Sequence, residues 1–154
     1  MITLIVLLGM FLVSFILLWV VYKRFYFMRA GRIALSAMLL FTAIGHFAFT
    51  EGIAMMLPMF VPFKKEIVIL TGILEIALAV GILIAHYRSI TGWSLIVFLV
   101  LALPANIYGA INAVNYQLAN HDGPGPDYLW FRIPLQFLFI VWTYITCILY
   151  SKKN

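Results

Sequence analysis

Long apolar runs broken by short polar stretches dominate the chain, and the few polar residues inside those runs recur at three- and four-residue steps. A membrane-spanning helix needs about 20 mostly apolar residues. Five stretches qualify: Leu4 to Tyr22, Ile33 to Thr50, Ile67 to Ala85, Gly92 to Ala113 and Ile133 to Tyr150. A signal peptide would carry positive charge ahead of its apolar core. Here the run from Ile2 to Val21 is instead followed by Lys23 and Arg24, so it reads as a retained helix. The pattern predicts a single all-α membrane domain over residues 1–154: a four-helix transmembrane bundle over residues 29–154, with an added N-terminal transmembrane helix, residues 1–28, packed outside it.

Two connections are longer than the rest, Glu51 to Glu66 and Val114 to Arg132. The first, "EGIAMMLPMFVPFKK", is too apolar for a free loop, yet Pro58 and Pro62 oppose a continuous helix. It is expected to lie along the membrane interface, its methionines and phenylalanines in the lipid boundary or capping the bundle, with Lys64 and Lys65 at headgroup level. The second carries "HDGPGPD", a turn-rich polar segment.

Lysine and arginine are enriched in cytoplasmic loops. Lys23, Arg24, Arg29, Arg32, Arg88, Lys152 and Lys153 fall on one side of the five spans, and only Lys64, Lys65 and Arg132 on the other. The expected orientation is N-terminus outward and C-terminus cytoplasmic, in the inner (cytoplasmic) membrane. At a rise of about 1.5 Å per residue, Glu75 then lies about 12 Å below the outer end of the third span. His46, Asn106, Arg132 and Gln136 also fall in the outer half. Residues three and four apart share a helix face. Thr42, His46 and Thr50 form one stripe, Thr71 and Glu75 another, Ala102, Asn106, Gly109 and Ala113 a third, and Arg132, Gln136 and Thr143 a fourth.

Composition agrees with this picture. Only 10% of residues are charged, against about 25% for a soluble domain. The formal charge of +5 comes from basic residues scattered at segment ends, which suits membrane boundaries and argues against a nucleic-acid partner. A single cysteine, Cys147, excludes an internal disulfide or a C-x-x-C redox pair.

An ionisable group in a membrane helix costs at least about 2.5–3.5 kcal/mol on insertion scales, so Glu75 needs a partner, a cavity or a task. His46 and Glu75 are the candidates for handling protons as an acid/base pair. Together with Asn106, Arg132 and Gln136 they would line a polar, ligand-binding cavity open toward the outer face. The structural alternative is an ion pair between Glu75 and Arg132, with Asn106 and Gln136 hydrogen-bonding across helices. His46, Glu51, Glu75 and His121 show no metal-ligand spacing, so no metal site is expected. Two facing membrane histidines for haem are lacking, since His86 sits at the cytoplasmic end of its span. There is no Gly-rich phosphate loop or nucleophile elbow.

The elements "RIALSAMLLFTAIGHF", "MLPMFVP", "LTGILEIALAVGIL", "LPANIYGAINA" and "FRIPLQFLFIVW", in this order from Arg32 to Trp142, resemble the DoxX-like family of small membrane proteins. The resemblance implies a four-helix membrane bundle, from which the segment before Arg29 departs as an added helix. On matching positions it picks out Gly45, His46, Phe47, Pro58, Gly72, Glu75, Pro104, Asn106, Arg132, Pro134, Gln136 and Trp142. The wider group is similar to a subunit of a thiosulfate:quinone oxidoreductase, to proteins of amine dehydrogenase maturation and to a eukaryotic receptor-assembly chaperone. It therefore implies either a lipophile- or quinone-binding redox accessory protein or a membrane-protein assembly factor holding client helices. An enzyme acting alone would need a substrate that the sequence does not supply.

Overall fold

The computed structural model describes residues 2–149. Tyr150, placed in the fifth predicted span, and Lys152 and Lys153, counted in the charge balance, lie outside them. Helix α1 spans Ile2–Tyr22, α2 Phe27–Ala48, α3 Thr50–Met55, α4 Lys64–Leu83, α5 Arg88–Ile111 and α6 Leu129–Thr143. A 3₁₀ turn, Pro126–Tyr128, leads into α6, and a π-helical segment, Tyr144–Leu149, continues it. Among the described residues there is no strand, only an isolated bridge between Asn115 and Asn120. Five helical stretches are long and apolar enough to cross a membrane: α1, α2, α4, α5 and Pro126–Leu149. The protein is an all-α, multi-pass membrane protein.

Several helix ends differ from the predicted spans, for local reasons. Helix α2 starts at Phe27 rather than near Ile33, because arginine is a good helix former and Arg29 and Arg32 continue the helix instead of ending it. Phe49, at φ −121° and ψ 34°, interrupts the helix before α3. Pro58 and Pro62 keep the following segment irregular, and Phe63 turns the chain through the left-handed region (φ 50°) into α4. Lys64 Nζ donates to Leu57 O at 2.9 Å across this break. Met56 packs against Gly109 of α5, where an added Cβ would lie 2.8 Å from Met56 Cγ. Met59, Phe60 and Phe63 are exposed, so the connection both covers the end of α5 and presents apolar side chains outward.

Helices α2, α4, α5 and α6 form a ring: α2 packs on α4, α4 on α5, α5 on α6, and α6 with its π-helical continuation back on α2. Helix α1 lies outside, mainly against α2. Ser14 Oγ sits 2.6 Å from Met10 O on its own helix and 3.2 Å from Ala30 O on α2. The ring encloses Leu35, Leu39, Ile82, Leu95 and Cys147, while Ile73, Val80, Val97, Leu101 and Phe137 face outward.

Without a hydrophobic driving force between helices in lipid, close approach at small residues and hydrogen bonds across helices hold such a ring. At Gly72 a Cβ would come 3.0 Å from His46 Cβ, and at Gly92 one would come 2.9 Å from Cys147 Cβ. Ser36 Oγ donates to Ala79 O at 2.9 Å, and Trp142 Nε1 to Gly31 O at 3.1 Å.

Pro104 and Pro134 lie inside α5 and α6 rather than ending them. Each lacks the N–H that would reach the carbonyl four residues back, Val100 and Trp130 respectively. Membrane helices tolerate this where neighbouring helices supply other donors. Gln136 Nε2 donates to Leu99 O, bringing a side-chain donor of α6 to the turn of α5 that Pro104 weakens.

Candidate functional site

The antiparallel crossing of α2 and α4 sets His46 beside the first turns of α4. His46 Nδ1 is 2.9 Å from Thr71 Oγ1 and 3.2 Å from Val68 O. Thr71 Oγ1 lies 2.8 Å from Val68 O, and a backbone carbonyl only accepts. Nδ1 donates when the Thr71 hydroxyl hydrogen points to Val68 O and accepts when it points to the ring. His46 Nε2 is directed toward Glu75 Oε1 at 3.9 Å, beyond hydrogen-bond distance, so the two ionisable groups are neighbours across α2/α4 without a direct bond.

Glu75 is 6% exposed, and its Oε2 has no hydrogen-bond partner in the protein. The expected Glu75–Arg132 ion pair is not formed. Among the described residues the close basic–acidic contacts are Lys65–Glu51 and His46–Glu75, the latter an ion pair only with the imidazole protonated. Arg132 Nη2 instead donates to Asn106 Oδ1 at 3.2 Å, joining α6 to α5. Asn106 Nδ2 donates to Ala102 O at 3.0 Å, and Arg132 Nε is buried without a partner. One bond of Asn106, from Arg132, and that of Gln136, to Leu99 O, run across helices, as the structural alternative requires, while the Asn106 bond to Ala102 O stays within α5. The basic neighbour of Glu75 is His46.

The five candidates form two groups, His46 with Glu75 across α2/α4 and Asn106, Arg132 and Gln136 across α5/α6. Two depressions mark the surface nearby. One, of about 310 Å³, is lined by residues 47–52 and 116–119, and the other, of about 420 Å³, by Pro126, Leu129, Trp130, Ile133 and Pro134. None of the five candidates lines either one. Among the described residues no three His, Cys, Asp or Glu side chains come together as a metal site would require.

At the α3/α4 end of the bundle Lys65 Nζ donates to Glu51 Oε1 at 2.5 Å. This hydrogen bond first, and the lysine charge second, hold the Glu51 carboxyl below its ordinary range. Residue types and spacing identified Thr42 and Thr71 as stripe neighbours of His46 and Glu75. They could not reveal the backbone partners Val68 O and Leu99 O, because a carbonyl carries no residue signature.

A four-helix membrane core with buried polar residues in both halves, and one helix packed outside, defines the class of the protein. The chain belongs to the family described as Domain of unknown function (DUF8561), whose model matches residues 35–147. No curated protein and no solved structure matches it.

Proposed function

We propose that the protein binds a lipophilic, quinone-like ligand whose polar head is read by His46 and Glu75 on one side and by Asn106, Arg132 and Gln136 on the other. The observation that carries this reading is the mismatch of the two groups. Glu75 Oε2 is a buried acceptor without a donor, and Arg132 Nε a buried donor without an acceptor. A head bearing a hydroxyl and a carbonyl would satisfy both, donating to the carboxylate and accepting from the guanidinium. The nearness of two ionisable groups, His46 and Glu75, suits a head that gains or loses protons. The DoxX-like resemblance supports the same reading and suggests an accessory role beside a redox complex. The positive-inside bias supports an N-out, C-in orientation in the cytoplasmic membrane.

The test is extraction of lipophiles from the purified protein, wild type against Glu75→Gln, with thermal unfolding after adding a ubiquinone or menaquinone analogue reduced to its quinol, whose hydroxyls both donate and accept. Wild type is expected to retain and be stabilised by the quinol, and Glu75→Gln to lose most of both. Equal retention by the two proteins, or no stabilisation of wild type, would falsify the reading. A single stoichiometric partner recovered from native membranes, lost in Glu75→Ala while the bundle stays folded, would reassign the site to an assembly factor gripping client helices.

A further inference from the structure

The opposite end of the bundle has a buried charge of the other sign. Arg32, in the second turn of α2, is 6% exposed. Among the described residues it makes one hydrogen bond, from Nη1 to Thr146 O at 3.0 Å in the π-helical segment. A guanidinium has five N–H donors, so it has donors left for a further partner. Arg88 opens α5, and its Nε is buried without a partner.

Both arginines adjoin the same stretch. A Cβ on Gly31, next to Arg32, would lie 2.7 Å from Thr146 Cγ2. One on Gly92, a turn beyond Arg88, would lie 2.9 Å from Cys147 Cβ and 3.2 Å from Ile148 Cγ1.

Nothing in the chain's side chains offsets this charge. The five acidic residues are Glu51, Glu66, Glu75, Asp122 and Asp127, and all belong to α3, α4 or the connection from α5 to α6. Neither α2 nor α5 has an acidic residue in its first turn, so two positive helix-dipole ends add to Arg29, Arg32 and Arg88. Among the described residues no carboxylate pairs with any of the three. A buried guanidinium without a counter-charge is strongly unfavourable, and at a membrane boundary the available counter-charge is phosphate, which arginine matches with a two-pronged donor set.

We propose that Arg32 and Arg88 form a phosphate-binding site where α2, α5 and the π-helical segment meet. The phosphate is that of a membrane phospholipid headgroup or a free phosphate group in solution.

The experiment uses the full chain, purified and delipidated in detergent. It is offered dioleoylphosphatidylglycerol, dioleoylglycerol with the same chains but no phosphate, or inorganic phosphate. Bound species are read by native mass spectrometry and stability by thermal unfolding. Phosphatidylglycerol is expected to be retained and to raise the unfolding temperature. Arg88→Gln should weaken its retention at least about tenfold, the usual scale for losing a hydrogen bond to a charged group.

Arg32→Lys, which keeps the charge but loses the fork, should show a smaller loss of the same kind. Should it fail to fold, Arg88→Gln, at a half-exposed helix start, carries the test alone. Stabilisation by inorganic phosphate with the same arginine dependence supports the site with a soluble source. Retention unchanged in Arg88→Gln overturns the proposal. Equal loss in the exposed double variant Lys23→Gln/Arg24→Gln also overturns it, by showing diffuse attraction, as does equal retention of dioleoylglycerol.

Discussion

The two halves of the membrane-embedded bundle handle buried charge in opposite ways. In the half toward α3 a buried carboxylate, Glu75, faces an imidazole 3.9 Å away, with an arginine and two amides on the neighbouring helices. At the other end a buried guanidinium, Arg32, bonds among the described residues to a backbone carbonyl and to no carboxylate. The first half is close to self-sufficient in charge and lacks single hydrogen bonds. The second lacks a whole counter-charge. A group short of one hydrogen bond can be served by a small neutral head, whereas a group short of a charge needs an ion, so the two ends call for different ligands.

The largest effect should come from the helix contact that creates the His46–Glu75 group. Gly72→Leu would force a side chain toward His46 Cβ and Phe47 and push α2 from α4. Overpacking of this kind costs about 1–3 kcal/mol, read as a clear drop in thermal unfolding temperature and loss of quinol stabilisation. Gly45→Leu, where a Cβ meets nothing within 4 Å, should be nearly neutral. Equal damage from both would show that the α2/α4 approach is not what holds the pair.

Next comes Gln136→Leu, which removes the donor to Leu99 O beside Pro104 while keeping bulk. Interhelical hydrogen bonds in membranes are worth about 0.6–2 kcal/mol, so a modest drop is expected, greater than that of Thr143→Val, whose hydroxyl bonds only within its own helix, to Phe139 O.

Arg32→Met sharpens the contrast by changing sign with conditions. In delipidated detergent it should be at least as stable as wild type, since replacing an uncompensated buried charge with an apolar side chain relieves its desolvation. With phosphatidylglycerol present it should lose the added stability that wild type gains. Wild type being the more stable in both conditions would break the comparison.

The smallest effect belongs to the exposed pair of Glu51 and Lys65. The Glu51 carboxyl is held low, so its contribution is present above the ordinary carboxylate range and is lost as pH falls through the lowered value. Being fully exposed, it is screened. Glu51→Gln should leave the unfolding temperature at neutral pH unchanged within error.

Much of this was legible in the sequence. Apolar run length gave the five spans, and three-and-four spacing placed His46, Glu75, Asn106, Arg132 and Gln136 on inward stripes. Periodicity reports a face, however, and not a partner. It could not decide that Arg132 would bond Asn106 rather than Glu75, nor that His46 would approach a backbone carbonyl. Arg32 counted as a boundary charge because its position near the end of an apolar run looks the same whether the side chain reaches water or turns inward onto Thr146. Pro104 and Pro134 are silent for a related reason: whether a proline ends a membrane helix depends on donors from neighbouring helices, which the local sequence does not display.

The contact at Gly72 also bears on how the chain is assembled. Helix α2 leaves the ribosome before α4, and the two are joined through α3 and the proline-bearing segment after it, so His46 is made before Glu75. The helical hairpin can close at Gly72 and set the imidazole beside the carboxyl before α5 and α6 exist. Arg132 and Gln136, made last, arrive at a carboxylate that already has company. The order of synthesis thus spares the most costly residue of α4 a solitary passage through lipid.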